Sequence, residues 1–336
     1  MPIARHYRFH ELGGPDVLRL DDIDIGEPGA GEVRLAIEAI GVNRGEAAMR
    51  GGHYIVSPPL PSRLGSEAAA TITAVGPGVT GWQVGDRVVT LPAQPLDRYS
   101  CYGEATLYPV DRLLRRPEGQ DAVQSAACWI AFLTAWGGLV EQGRIAEGQP
   151  VLITAASSSV GLAAVQIARQ AGAIPIAATR TSAKTGAIRE AGAADVIVTD
   201  SEDVVARVRE RTGGKGASLI FDPVAGPFAE TLCEALVENG ILMIYGGLSK
   251  QAATFPRQLA IRGNLTMRGF NFNPMLSDPA RLNRALAELA PRFADGRYHM
   301  PIARTFAFEE MAEAHRTLES NAHIGKIVVR VGPEAS

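Results

Sequence analysis

Over roughly the first 120 residues, apolar positions alternate with polar ones in short runs broken by Gly and Pro, the period of half-buried strands. Val33 to Ile40, Ala69 to Val75 and Arg87 to Leu91 are the clearest of these runs. Between them, Gly76, Gly78, Gly81 and Gly85 mark closely spaced turns. The pattern predicts an irregular β-rich domain over 1–124.

After Gln124 the period changes. An apolar helix around Ala126 to Val140 leads into strands that alternate with helices. The strands read as Val151 to Ala155, Pro175 to Thr179, Asp195 to Val198, Ser218 to Asp222, Ile241 to Tyr245 and Leu265 to Phe270. Such alternation predicts an α/β fold with a doubly wound parallel Rossmann sheet, here over 125–270. The helix from Val160 to Gln170 ends at Gly172, and the next, opening near Ser182, ends at Gly192. Asp278 to Ala294 makes a helix with Leu282, Leu286 and Leu289 on one face, and a last strand spans Lys326 to Val331. Residues 271–336 are therefore expected to return to the first domain, with Gly332 to Ser336 as a frayed tail.

Composition narrows the class. Hydrophobic residues make up 46% and charged residues 21%, which suits a chain able to bury two cores. A net charge of -3 gives no positive field for a nucleic acid. Cys101, Cys128 and Cys233 are an odd, unpaired set, which points to a reducing compartment, and a cytoplasmic location is expected. No run reaches the ~18 uninterrupted apolar residues of a membrane span, so no membrane partner is expected.

The chemistry begins where the strand VLITA runs into ASSSVGLAAV. Small residues there open a helix whose free N–H groups and dipole favour a pyrophosphate. Only Gly161 remains of a G-x-G-x-x-G fingerprint, Ala156 and Ser158 standing at the other two positions. The hydroxyls of Ser157, Ser158 and Ser159, with Val160 and Gly161, are candidate phosphate contacts. The end of the next strand reads Thr179, Arg180, Thr181, Ser182, Ala183, Lys184. An NAD enzyme would place a carboxylate there for the ribose 2′-hydroxyl. Two cations and several hydroxyls suit a 2′-phosphate instead, so NADPH is the expected cofactor. Gly246, Gly247 and Leu248, after the fifth strand, are placed to let backbone approach a nicotinamide.

Taken in order, Gly41-Val42-Asn43, Gly65-Ser66-Glu67-Ala68-Ala69, Val84-Gly85-Asp86-Arg87-Val88, Leu133-Thr134-Ala135, the Ser-rich loop ending Val160-Gly161, and Gly325-Lys326-Ile327-Val328 span nearly the whole chain. In these motifs it resembles the medium-chain dehydrogenase/reductase superfamily. That resemblance implies a GroES-like irregular β-barrel as the catalytic domain beside the Rossmann domain. Zinc alcohol dehydrogenases of the superfamily carry Cys, His and Cys where this chain has Asn43, Ser66 and Ile130, and zinc needs about three such ligands. No metal is therefore expected, and the chain looks like the zinc-free quinone oxidoreductase branch, with its enone and enoyl thioester reductases.

In that branch an Asn after Gly-Val lies beside the nicotinamide and a Tyr follows in a Gly-x-Tyr setting, which Asn43 and Tyr54 match. Gly45 stands where alcohol dehydrogenases carry a proton-relaying Ser or Thr. Asn43 and Thr134 are candidates to fix the nicotinamide carboxamide and ribose, and the resemblance further implies Asn321 and Lys326 near the cofactor and a homodimer formed across the sixth strand. A conjugated acceptor suits the residues: hydride added to a quinone or enone leaves charge that a neutral donor such as the Tyr54 hydroxyl can stabilise. Zinc-type alcohol dehydrogenase chemistry, and nucleotide binding without turnover, stay open as alternatives.

Overall fold

The strands predicted from the alternation form separate sheets in two units of a computed structural model that describes residues 2–332. Residues 333–336 of the expected tail lie outside that range. The first unit takes the chain up to Ile130 and again from Met300, and the second runs from Ala131 to His299.

In the first unit the strand Glu32–Val42 is central. It pairs antiparallel with Lys326–Arg330, Ala68–Val75 and Ala105–Pro109, so three distant stretches are registered on one strand. The seven-stranded sheet runs Ile302–Ala307, Lys326–Arg330, Glu32–Val42, Ala68–Val75, Arg87–Thr90, Leu113–Arg115, with Ala105–Pro109 off this path. Val33, Leu35 and Ile37 are buried while Arg34, Ala36 and Glu38 are only half-buried, the alternation of a one-faced strand. From Ala39 to Val42 every residue is buried, because here both faces are covered. Phe9, Leu35, Ile40, Tyr102, Tyr108, Phe306 and Ile327 share its core. Each such side chain contributes roughly 1.5–3 kcal/mol by leaving water.

In the second unit six strands lie parallel in the order Asp195–Val198, Ile174–Thr179, Pro150–Ile153, Ala217–Asp222, Leu236–Ile244, Thr266–Gly269. Numbered along the chain this is 3-2-1-4-5-6, the Rossmann arrangement. Val151, Leu152 and Ile153 are fully buried, as expected of a strand covered on both faces. Each predicted strand is present, with ends shifted by a few residues; the fifth begins earliest, at Leu236. The helix Ser159–Gln170 opens at Ser158, whose Oγ accepts the Gly161 N–H at 3.1 Å.

One feature differs from the sequence reading: residues 271–299 fall in the second unit, with the Rossmann sheet. The reason is aromatic and ionic: Phe293 and Tyr298 meet Phe132 at 4.8 and 4.9 Å between ring centroids, and Arg281 pairs with Glu141 at 2.6 Å. Gln166 also donates to the His299 carbonyl and accepts its N–H. The helical stretch Ala122–Gln142 is long and apolar enough to cross a membrane, but 89% of its apolar window is buried within the protein. Its last turn is a π-helix, Gly137–Gln142.

Phe132→Ala should cost about 3–5 kcal/mol and preferentially release residues 279–299. Urea unfolding with hydrogen exchange checks this, and unchanged protection of the helix Pro279–Ala294 would show that Phe132 does not anchor it.

Candidate active site

Within the first unit the helix Arg44–Arg50 starts directly off the central strand, with Asn43 at its N-cap position. Glu46, at the third helical position, accepts the Asn43 N–H at 2.8 Å on one oxygen and the Ser66 N–H at 2.9 Å on the other. The Tyr102 hydroxyl also donates to Glu46, at 2.8 Å, and lies 3.0 Å from His315 Nε2. With the phenol proton directed at Glu46, His315 Nε2 is the donor to the phenol oxygen. Burial raises the Glu46 carboxyl above its ordinary range and lowers the His315 imidazole to about 3, Arg50 and Arg44 adding to the latter.

The Asn43 side chain does not cap the helix. It faces a fully buried ion pair: Lys326 Nζ donates at 2.6 Å to Glu67 Oε2 and at 2.6 Å to Asn43 Oδ1, with Lys326 1% and Glu67 0% exposed. Asn43 Nδ2 donates to the Gly41 carbonyl at 3.0 Å and to Glu67 Oε2 at 3.3 Å. The second Glu67 oxygen accepts the Ile130 N–H at 2.9 Å. Gly41 is required here: a Cβ on it would sit 2.0 Å from the Ala126 carbonyl and 3.0 Å from both Glu67 Oε2 and Lys326 Cε.

Tyr54 follows this helix, half-buried, with its ring against Gly45; a Cβ at Gly45 would lie 3.2 Å from Tyr54 Cε2 and 3.7 Å from its hydroxyl. Burial, with Glu46 adding, raises the Tyr54 phenol above its ordinary value, so it stays protonated at neutral pH. Asn321 is exposed, in a left-handed conformation ending the helix Met311–Ser320, and accepts from Arg44. Asn43, Tyr54, Asn321 and Lys326 thus all belong to the first unit, with Lys326 inside an ion pair and Asn321 at a helix end.

The second unit holds the remaining candidates. Ser157 and Ser158 lie in the turn after the strand Pro150–Ile153, and Ser159, Val160 and Gly161 open the helix that follows. Ala155 takes a left-handed φ of 46°, and a Cβ at Gly161 would come within 2.6 Å of its carbonyl, so the tight turn demands Gly there. Beneath it Thr154 donates to the buried Asp222, whose other oxygen accepts the Ala225 N–H at 2.7 Å. Thr179 is buried at its strand end, while Arg180, Thr181 and Ser182 are exposed beside half-buried Lys184. Burial and the neighbouring Arg180 cation lower the Lys184 ammonium. Two like charges held together would be relieved by a dianion, so the site fits a 2′-phosphate. Gly246 and Gly247 are exposed after the fifth strand, Gly247 with open space around it, and Leu248 donates its N–H to Pro223 at 2.9 Å. Thr134 is buried in the helix Trp129–Trp136.

Sequence reasoning gave no role to Glu46, Glu67, Tyr102 or His315. The available signal was a carboxylate, Glu67, directly before the small apolar run Ala68 to Ala70: such a group can be buried only with a partner. Among the described residues no group of three or more His, Cys, Asp or Glu side chains could hold a metal ion.

An alcohol dehydrogenase GroES-like domain model matches residues 29–113, and a zinc-binding dehydrogenase model matches residues 191–329. The chain is 33% identical to a 2-haloacrylate reductase from a Burkholderia species, covering 96% of this chain and 97% of that protein. It is 32% identical to a quinone oxidoreductase of Pseudomonas aeruginosa, covering 97% and 99%. Among solved structures it resembles the Escherichia coli quinone oxidoreductase complexed with NADPH, at a TM-score of 0.91 and 29% identity, covering 97% of this chain and 99% of that one. The chain belongs to the medium-chain dehydrogenase/reductase superfamily, in its quinone oxidoreductase-like branch.

The neutral, buried histidines set an acid limit. His315 is held at about 3 and His6 at about 4, against an ordinary value of 6.5, burial being the larger cause in both. The unfolded chain takes up protons at these sites where the folded one does not. Their stabilisation is full above 6.5 and is lost as pH falls through the 6.5 to 3 window. His315→Gln should flatten this loss in urea unfolding across that range; a slope equal to the parent's would remove His315 from the acid response.

Proposed function

We propose that the chain is an NADPH-dependent reductase that passes hydride to a quinone or an α,β-unsaturated carbonyl without a catalytic metal. The observation that carries this reading is the Lys326 ammonium bonded to both Asn43 and Glu67. Where the zinc branch keeps metal ligands, this chain keeps Asn43, Ser66 and Ile130, and an ammonium already satisfies the adjoining carboxylate. A dication beside that ammonium would be repelled.

Bound NADPH supplies the hydride. Arg180 and Lys184 hold its 2′-phosphate, with Thr179, Thr181 and Ser182 offering hydroxyls at the same strand end. Ser157, Ser158, Ser159, Val160 and Gly161 receive the pyrophosphate on the helix N-terminus, and Gly246, Gly247 and Leu248 leave room for the nicotinamide. Tyr54 donates from its hydroxyl to the acceptor oxygen, where negative charge accumulates as the β-carbon or quinone ring is reduced. A neutral donor suffices because conjugation spreads that charge. A simple alcohol or aldehyde lacks this outlet and would need a Lewis acid. The acceptors named for the two curated relatives, a 2-haloacrylate and a quinone, are both conjugated, which supports the acceptor class.

The strand Thr266–Gly269 pairs only with Leu236–Ile244 among the described strands and leaves an edge open, so a homodimer through that edge is part of the proposal. A monomer in sedimentation velocity would remove it. The three cysteines are free and buried, in keeping with a reducing, cytoplasmic location.

Following NADPH and NADH oxidation in parallel against quinones, enones and enoyl thioesters tests the reading, and an absence of turnover with every acceptor would reduce the chain to a nucleotide binder. Arg180→Asp should weaken NADPH binding on the order of a hundredfold, the loss of a charge-assisted phosphate pair, while sparing NADH. Equal losses in titration would withdraw the phosphate assignment. Tyr54→Phe should lower kcat on the order of a hundredfold with NADPH affinity unchanged; an unaltered kcat leaves Tyr54 as packing.

A further inference from the structure

The buried Glu67–Lys326 pair is hard to explain by stability. Burying two charges costs several kcal/mol per ion, and apolar replacements of matched size are often neutral or stabilising. Its placement offers another reason. Lys326 fixes the Asn43 carboxamide by its oxygen, and Glu67 accepts from its nitrogen. Asn43 opens the helix Arg44–Arg50, and its N–H is held by Glu46, which also accepts from Ser66, the residue before Glu67. The second residue of that helix, Gly45, is the floor beneath the Tyr54 ring, with only 3.2 Å between a Cβ there and Tyr54 Cε2. A Cβ at Gly41 would clash first with the Ala126 carbonyl, at 2.0 Å, and would also crowd Glu67 Oε2 and Lys326 Cε, each at 3.0 Å.

We infer that the Glu67–Lys326 ion pair is a positioning device for Tyr54, acting through Asn43 and the start of the helix that carries Gly45. The side-chain hydrogen bonds of Glu67 and Lys326 go to Asn43, Ile130 and each other. They fix the backbone on which the ring rests, and Gly45 sets how deep the hydroxyl sits. The inference rests on the reading of Tyr54 as the donor to the acceptor oxygen.

The test uses the full chain, with NADPH and either 1,4-benzoquinone or 2-cyclohexenone as acceptor. Glu67→Gln with Lys326→Met removes both charges at nearly constant volume, and the new amide oxygen can still accept the Ile130 N–H. NADPH affinity by titration should be unchanged and kcat should fall on the order of tenfold or more, the effect expected of a displaced reacting group. Adding Tyr54→Phe to this background should then cost little further, because a misplaced hydroxyl has already lost its contribution. Gly45→Ala leaves the ion pair intact and displaces the ring directly. It should reproduce the drop in kcat and the non-additivity with Tyr54→Phe, and it carries the test should the paired variant not fold. A paired variant with altered melting temperature but parental kcat marks a merely structural ion pair and overturns the inference. So does a full, additive effect of Tyr54→Phe, or a Gly45→Ala protein with parental kcat. A parent protein that oxidises no NADPH with any acceptor instead sinks the functional reading itself. An active parent slowed by Tyr54→Phe but indifferent to the other changes sinks this inference alone.

Discussion

The first unit is organised around one buried cation. Lys326 arrives on a strand near the end of the chain, Glu67 precedes a strand in its first quarter, and Asn43 ends the strand between them in the sheet. Taking either charge out of water alone would be prohibitive, and removing one partner of such a pair typically costs about 3–5 kcal/mol. The sheet register that brings Ile327 opposite Val42 is therefore fixed chemically as well as by apolar alternation. Slipping the terminal strand by one residue would leave an ammonium and a carboxylate unpaired in the interior.

A second buried carboxylate shows how the same unit manages charge in a different way. Glu46 is met by two backbone N–H groups and a phenol, with the Lys326 cation a smaller influence on it. Hydrogen bonds lower a carboxyl pKa and burial raises it; here burial prevails. The neutral His315 at the far side of Tyr102 completes a network in which every charge is either avoided or shared. Polar groups of this kind give a β-rich domain a defined geometry that apolar packing alone leaves looser.

In the second unit the division of labour is simpler. Val151 to Ile153 of the central strand are fully buried, and the candidate contacts cluster at strand ends, where small side chains and Arg180 are exposed and Lys184 is half-buried. Burial, with the neighbouring Arg180 cation adding, disfavours the Lys184 ammonium.

What the sequence determined alone are the features set by local period and local chemistry. Alternation of strand and helix fixed a parallel sheet, the six Rossmann strands were found with ends shifted by a few residues, and the turn at Gly161 was marked by small residues that only a tight strand-to-helix bend needs. The Arg180–Lys184 pair could be seen because both cations lie within five residues of one another. Tertiary structure decided whatever depends on residues far apart in the chain. Nothing local to Lys326 indicates that its ammonium pairs with Glu67, 259 residues away. Residues 271–299 looked set to return to the first domain, but Phe132 and Glu141 hold them in the second. Periodicity reports which face of an element is buried and is silent on what it is buried against; that depends on contacts whose partners no local pattern names.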